Sequence, residues 1–136
     1  MKDALAQLAR GWGHDVVDLG AKNAADSVDY PDYAASVGRA VVAREAELGV
    51  LVCGTGLGVS IAANKLHGVR AALCGDVFSA KMARRHNDAN VICLGSRVVG
   101  IGLAEEILRA FLEASFEGAR HVGRIAKITA LDDARK

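Results

Sequence analysis

Cys53 stands where a strand-like run meets a chain of alternate glycines, in Leu51-Val-Cys-Gly-Thr-Gly-Leu-Gly-Val-Ser-Ile-Ala-Ala-Asn-Lys65. A thiol at the carboxyl end of a buried strand, beside Gly54, Gly56 and Gly58, lies next to backbone that can approach a small ligand closely. The N–H groups of such a loop and of the helix turn that follows have no intrahelical partners, so they can hold a developing negative charge. Two familiar phosphate loops are excluded by spacing. The dinucleotide fingerprint requires a third glycine where Val59 stands, and the ATP-type loop requires Gly-Lys-Ser/Thr where the chain reads Val59-Ser-Ile61. The stretch reads either as a small-molecule site with an acid/base thiol or as a tight strand-to-helix turn with a buried cysteine.

Three further groups could contribute. His86 and Asn87, in Ala83-Arg-Arg-His-Asn-Asp-Ala-Asn90, fall where a helix ends and a strand follows. A histidine there can move protons near neutral pH and an asparagine can bond a hydroxyl, though both residue types also suit an ordinary helix C-terminus. Arg120 and Arg124 lie four apart, on one helical face, and can grip a phosphate through charge-assisted bonds or simply form a solvated basic face. Arg97, just past an apolar run, stands at the edge where open α/β sheets bind ligands, or is an ordinary surface residue. Tyr30 precedes Pro31 at the start of a helix, where its hydroxyl could reach a ligand or its ring could pack on the proline. Trp12 reads as packing.

Placing these residues requires strands alternating with helices. Apolar runs at Val16 to Leu19, Gly49 to Cys53, Val69 to Cys74 and Val91 to Leu94 are nearly continuous, as expected for strands covered on both faces. Helical patterns lie at Lys2 to Arg10, Asp32 to Glu45, Val59 to Leu66, Ser79 to His86 and Leu103 to Ala114, with a C-terminal helix at about 118–134. The alternation implies a three-layer, doubly wound Rossmann-like α/β domain with a parallel sheet and right-handed crossovers. A length of 136 residues fits one domain over the whole chain. The net charge of +1, with mixed signs, gives no argument for nucleic acid or an anionic membrane, and no apolar run could span a bilayer. Cys53, Cys74 and Cys93 are odd in number and lack metal-ligand spacing, which suits reduced thiols in a cytoplasmic protein.

Taken together, these segments resemble the type B ribose-5-phosphate isomerases, relatives of bacterial galactose-6-phosphate isomerases. The likeness rests on Ser27-Val-Asp-Tyr-Pro-Asp-Tyr33, Cys53 to Lys65, Arg70-Ala-Ala-Leu-Cys74, Arg85-His-Asn-Asp-Ala-Asn90, Gly95-Ser-Arg-Val-Val-Gly100, and Phe116-Glu-Gly with Arg120 and Arg124. It runs to about Ile128. The resemblance implies interconversion of ribose 5-phosphate and ribulose 5-phosphate through an enediolate, with no metal and no cofactor. It implies that Cys53 is the base moving a proton between C1 and C2, and that Gly54, Gly56 and Gly58 offer N–H groups to the enediolate oxygen. His86, with Thr55 nearby, would open the sugar ring; Asn87 and Tyr30 would touch sugar oxygens; Arg97, Arg120 and Arg124 would bind the phosphate. A homodimer or dimer of dimers with shared sites is implied.

The resemblance also sets an expectation that the chain departs from. Family members open with a strand and an Asp-His loop before their first helix, whereas this sequence opens inside that helix, at Met1-Lys-Asp-Ala-Leu. The expectation is a sheet without the family's first strand, with an open slot beside Val16 to Leu19. The alternatives are a non-catalytic sugar-phosphate binder, an isomerase of another sugar phosphate such as a six-carbon one, and a nucleotide-binding module, which the failed glycine spacings oppose.

Overall fold

The computed structural model describes residues 1–23 and 25–134. In chain order the elements are α1 (Lys2–Gly11), α2 (Tyr30–Val42), β1 (Gly49–Cys53), α3 (Leu57–Ala63), β2 (Ala71–Leu73), α4 (Val77–Asn87), β3 (Val91–Gly95), α5 (Ile101–Glu113) and α6 (Arg120–Asp133). The three strands form a parallel sheet in the order β1-β3-β2, with Gly49 opposite Val91, Cys53 opposite Gly95, and Ala71 also opposite Val91. Parallel neighbours demand that each helix carry the chain back along the sheet.

β3 is buried at every residue, and its side chains alternate between two cores. Val91 and Cys93 point into a core with Leu51 and with Ala34, Val41, Val59 and Ala63 from α2 and α3. Ile92 and Leu94 point into the other, with Leu5, Ala80, Ala83, Ala104, Ile107, Leu108 and Phe111 from α1, α4 and α5. Helices therefore cover both faces, which gives the three-layer Rossmann-like architecture. Local signals start and stop them. Pro31 sits in the first turn of α2, where its missing N–H costs nothing. The Asp76 carboxylate caps α4 by accepting from the Ser79 N–H at 2.7 Å. Asp88 ends α4 in a left-handed conformation, φ 43°, held by Arg70 at 3.0 Å and Arg84 at 2.9 Å.

One expected strand is not formed. Val16 to Leu19 carries no regular structure, and Val17 is 70% and Leu19 39% exposed. A strand exists only through a ladder partner, and among the described residues none pairs with this run. Likewise no described strand pairs with the outer edge of β1. The segment is held instead by Asp18, whose carboxylate pairs with Lys2 and accepts from the Gly20 N–H at 2.8 Å. Trp12 packs as expected, with the Arg109 guanidinium 4.3 Å above its ring. Among the described residues no helix is long and apolar enough to cross a membrane.

Candidate active site

The carboxyl ends of β1 and β3 build one cluster. The chain leaves β1 at Cys53, turns through Gly54, Thr55 and Gly56, and enters α3. Gly56 has φ +77°, a conformation that a side chain would strain. The turn is pinned to the end of β3: the Ser96 N–H donates to the Cys53 carbonyl at 2.8 Å and the Arg97 N–H to the Gly54 carbonyl at 2.9 Å. The approach is close enough that a Cβ on Gly95 would lie 2.6 Å from the Thr55 carbonyl atoms. Arg97 lies over Gly54, its side chain 3.6 Å from where a Cβ would stand. The Tyr30 ring, delivered by the first turn of α2, occupies the space that a Cβ on Gly58 would need, 2.5 Å from it. The absence of a side chain at 58 is therefore used by Tyr30, whereas Gly54 lies at ordinary contact distance from Arg97.

Cys53 is partly buried, and its Sγ accepts from the Gly56 N–H at 3.1 Å. Burial pushes its thiol up. The N–H groups of Val59, Thr55 and Gly56 and the Thr55 hydroxyl outweigh burial and hold it below the ordinary value of 9.0. The other two thiols differ. Burial pushes Cys74 up to about 11 and Cys93 up to about 12. Of the three thiols, only Cys53 is held below its ordinary value, which favours its thiolate over those of Cys74 and Cys93.

A second cluster forms at the opposite end of the sheet. α4 runs back from the carboxyl edge, so His86 and Asn87 in its last turn lie beside the amino end of β3. The chain from α5 reaches the same end, where the Glu117 N–H donates to the Arg85 carbonyl at 3.0 Å. Glu117 also ion-pairs with Arg85, and its Oε2 lies 3.7 Å from His86 Nε2 and 3.9 Å from His121 Nε2. Arg120 and Arg124 follow on α6, exposed and flanking His121.

The expected site residues thus fall into two groups. Cys53, Gly54, Thr55, Gly56, Gly58, Tyr30 and Arg97 meet at one end, and His86, Asn87, Arg120 and Arg124 lie at the other. β3 alone separates the ends by roughly 13 Å. Glu117, His121 and Arg85 are additions that the sequence reading does not single out. Their signal is the four-residue spacing of Glu117 and His121, which matches that of Arg120 and Arg124.

Residues 1–128 match the Ribose/Galactose Isomerase family. Ribose-5-phosphate isomerase B of Escherichia coli (strain K12) is 48% identical over 123 residues, spanning 90% of this chain and 82% of that protein. D-erythrulose-4-phosphate isomerase of Pectobacterium atrosepticum is 40% identical over 128 residues, 94% of this chain and 84% of that one. The structure of ribose-5-phosphate isomerase B from Clostridium thermocellum superimposes with a TM-score of 0.97 at 44% identity, covering 99% of this chain and 90% of that one. The chain belongs to the ribose/galactose isomerase family.

Proposed function

We propose that this chain is an aldose–ketose isomerase of a sugar phosphate, interconverting ribose 5-phosphate and ribulose 5-phosphate. The observation that carries the proposal is the Cys53 thiol, lowered by backbone N–H groups and set against a glycine turn. In the open-chain aldose the Cys53 thiolate removes the C2 proton. The electron pair moves into the C1–C2 bond and the carbonyl oxygen becomes an enediolate oxygen. N–H groups of the Gly54–Gly58 turn stabilise that charge without reorganising. Return of the proton to C1, with transfer between the two oxygens, yields the ketose. His86 opens the sugar ring by moving a proton at the ring oxygen, with Thr55 assisting. Asn87 and Tyr30 contact sugar oxygens. Arg97, Arg120 and Arg124 grip the phosphate, which fixes the reacting carbons in place.

Each site in this reading is built from two copies of the chain. A pentose phosphate cannot touch Cys53 and His86 across the full sheet of one chain, so the amino-end cluster of one copy must meet the carboxyl-end cluster of another. The exposed Leu57, Phe78 and Ile101, at starts of helices on the Cys53 side, and Val98, in the turn after β3, are the apolar rim such a contact would cover. A four-carbon substrate is a second reading, motivated by the D-erythrulose-4-phosphate isomerase relative.

Mixing Cys53→Ala and His86→Asn subunits, each inactive alone, tests both the chemistry and the sharing. Random re-association of dimers restores about a quarter of parental turnover, because mixed dimers hold one intact site of two. Complementation that fails in verified mixed dimers would refute shared sites. Assays of the parent with ribose 5-phosphate and with a four-carbon ketose phosphate decide between the two substrates.

A further inference from the structure

His121 is buried, 5% exposed, on the first turn of α6. Its ring stacks on that of His86, with centroids 4.3 Å apart and planes 10° from parallel. His86 is the outer ring of the pair, with 35% of its side chain exposed. Glu117 Oε2 is nearly equidistant from both Nε2 atoms, and Glu117 is itself fixed by Arg85 through its side chain and its backbone N–H. His121 Nε2 is buried without a hydrogen-bond partner, an arrangement that costs stability and calls for a reason.

Two imidazoles and a carboxylate could suggest a metal ion. The ring planes argue otherwise. An imidazole lone pair lies in its ring plane, and an ion cannot lie in two stacked, near-parallel planes at once. The arrangement suits a different task. Burial first, then His86, Arg120 and Arg124, lower the proton affinity of His121, with Glu117 opposing. His121 therefore presents a buried aromatic face against which the His86 ring is stacked. The charged groups around the pair are Arg85 from α4, Glu117 from the preceding loop, and Arg120 and Arg124 from α6.

We propose that His121 is a positioning residue for His86. Its stacked ring fixes the plane of the His86 imidazole and so keeps the Nε2 edge turned toward Glu117, which lets His86 meet the sugar-ring oxygen in one orientation. The proposal rests on the reading of His86 as the ring-opening group.

The test uses two substrates and one spectroscopic readout. Ribose 5-phosphate is mainly a closed ring, whereas ribulose 5-phosphate, its C5 hydroxyl phosphorylated, has no furanose form. His121→Ala is expected to lower turnover of ribose 5-phosphate by roughly tenfold or more. It should leave KM within about twofold and leave exchange of the C1 hydrogen of ribulose 5-phosphate with D2O near the parental rate. His121→Phe keeps a stacked ring and should recover most of the turnover. In nitrogen NMR the His86 ring should hold the Nε2–H tautomer in the parent and average both tautomers in His121→Ala. Full turnover in His121→Ala, equal loss of turnover and exchange, no recovery in His121→Phe, or an unchanged His86 tautomer would each overturn the proposal. The NMR readout needs no activity. A tautomer change in a chain inactive with either sugar therefore supports the positioning role while refuting the assigned reaction.

Discussion

Native alkylation should separate the three thiols sharply. At pH 8 Cys53, held below 9.0, is more than about one-tenth thiolate. Cys74, at about 11, has a thiolate fraction on the order of 10⁻³, and Cys93, at about 12, on the order of 10⁻⁴. The ionisation contrast with Cys74 is thus at least about 100-fold. A lower-pKa thiolate is the poorer nucleophile, which gives back roughly a factor of ten and leaves roughly tenfold from ionisation alone. Access widens the gap, since Cys74 is 3% and Cys93 0% exposed. Limiting iodoacetamide at pH 8, quenched at intervals and followed by peptide mass spectrometry, should label Cys53 almost alone. Residual isomerase activity should fall in step with that label. The labelling rate should rise with pH through a midpoint below 9. Comparable native labelling of Cys74 or Cys93, a Cys53 midpoint at or above 9, or label accumulating without loss of activity would refute the reasoning.

Other outcomes follow from the same geometry. Arg120→Ala and Arg124→Ala should each raise KM for the sugar phosphate by about 2 kcal/mol of binding, roughly 30-fold, while leaving binding of the phosphate-free sugar nearly unchanged. Steady-state kinetics and calorimetry with both ligands check this, and unaltered affinity for the phosphorylated sugar would move the grip elsewhere. Gly95→Ala drives a methyl group to 2.6 Å from the Thr55 backbone and should cost about 1–3 kcal/mol in urea unfolding, together with most of the turnover. Gly54→Ala meets Arg97 only at ordinary contact distance, so it should melt near the parental temperature. Reversal of that order would show that the turn is not pinned as described.

The sequence carried a good deal of this. Three of four apolar runs became strands because continuous apolar residues report burial on both faces, and β3 has that burial along its whole length. Val16 to Leu19 is also largely apolar and failed, because side-chain pattern records burial but not whether a backbone partner exists. The glycine turn was legible because glycines at 54, 56 and 58 mark a chain that turns tightly or is closely approached, and Gly56, at φ +77°, and Gly58, under the Tyr30 ring, do so. The division of the site was not: His86 follows Cys53 by 33 residues, and only the reversal of direction through α4 puts it at the far end of the sheet. His121 was illegible for another reason. A histidine between two arginines reads as part of a charged face, and its burial against His86 arises only when α6 docks on α4.

The position of β1 at the sheet's margin has a dynamic consequence. In a parallel strand alternate residues present their N–H and C=O to the same side. Gly49 and Cys53 bond toward the β3 side, to Asn90 and Ser96, which leaves Val50 and Val52 turned to the outer edge. Their amides should exchange with solvent through small local fluctuations, while those of Ile92 and Leu94 in β3 should wait for much larger openings. Among the described residues, the strand that carries Cys53 is therefore paired on one side only. Its carboxyl end can breathe by small amounts without disturbing the buried centre of the sheet, and whatever docks along that margin would set how tightly Cys53 is held.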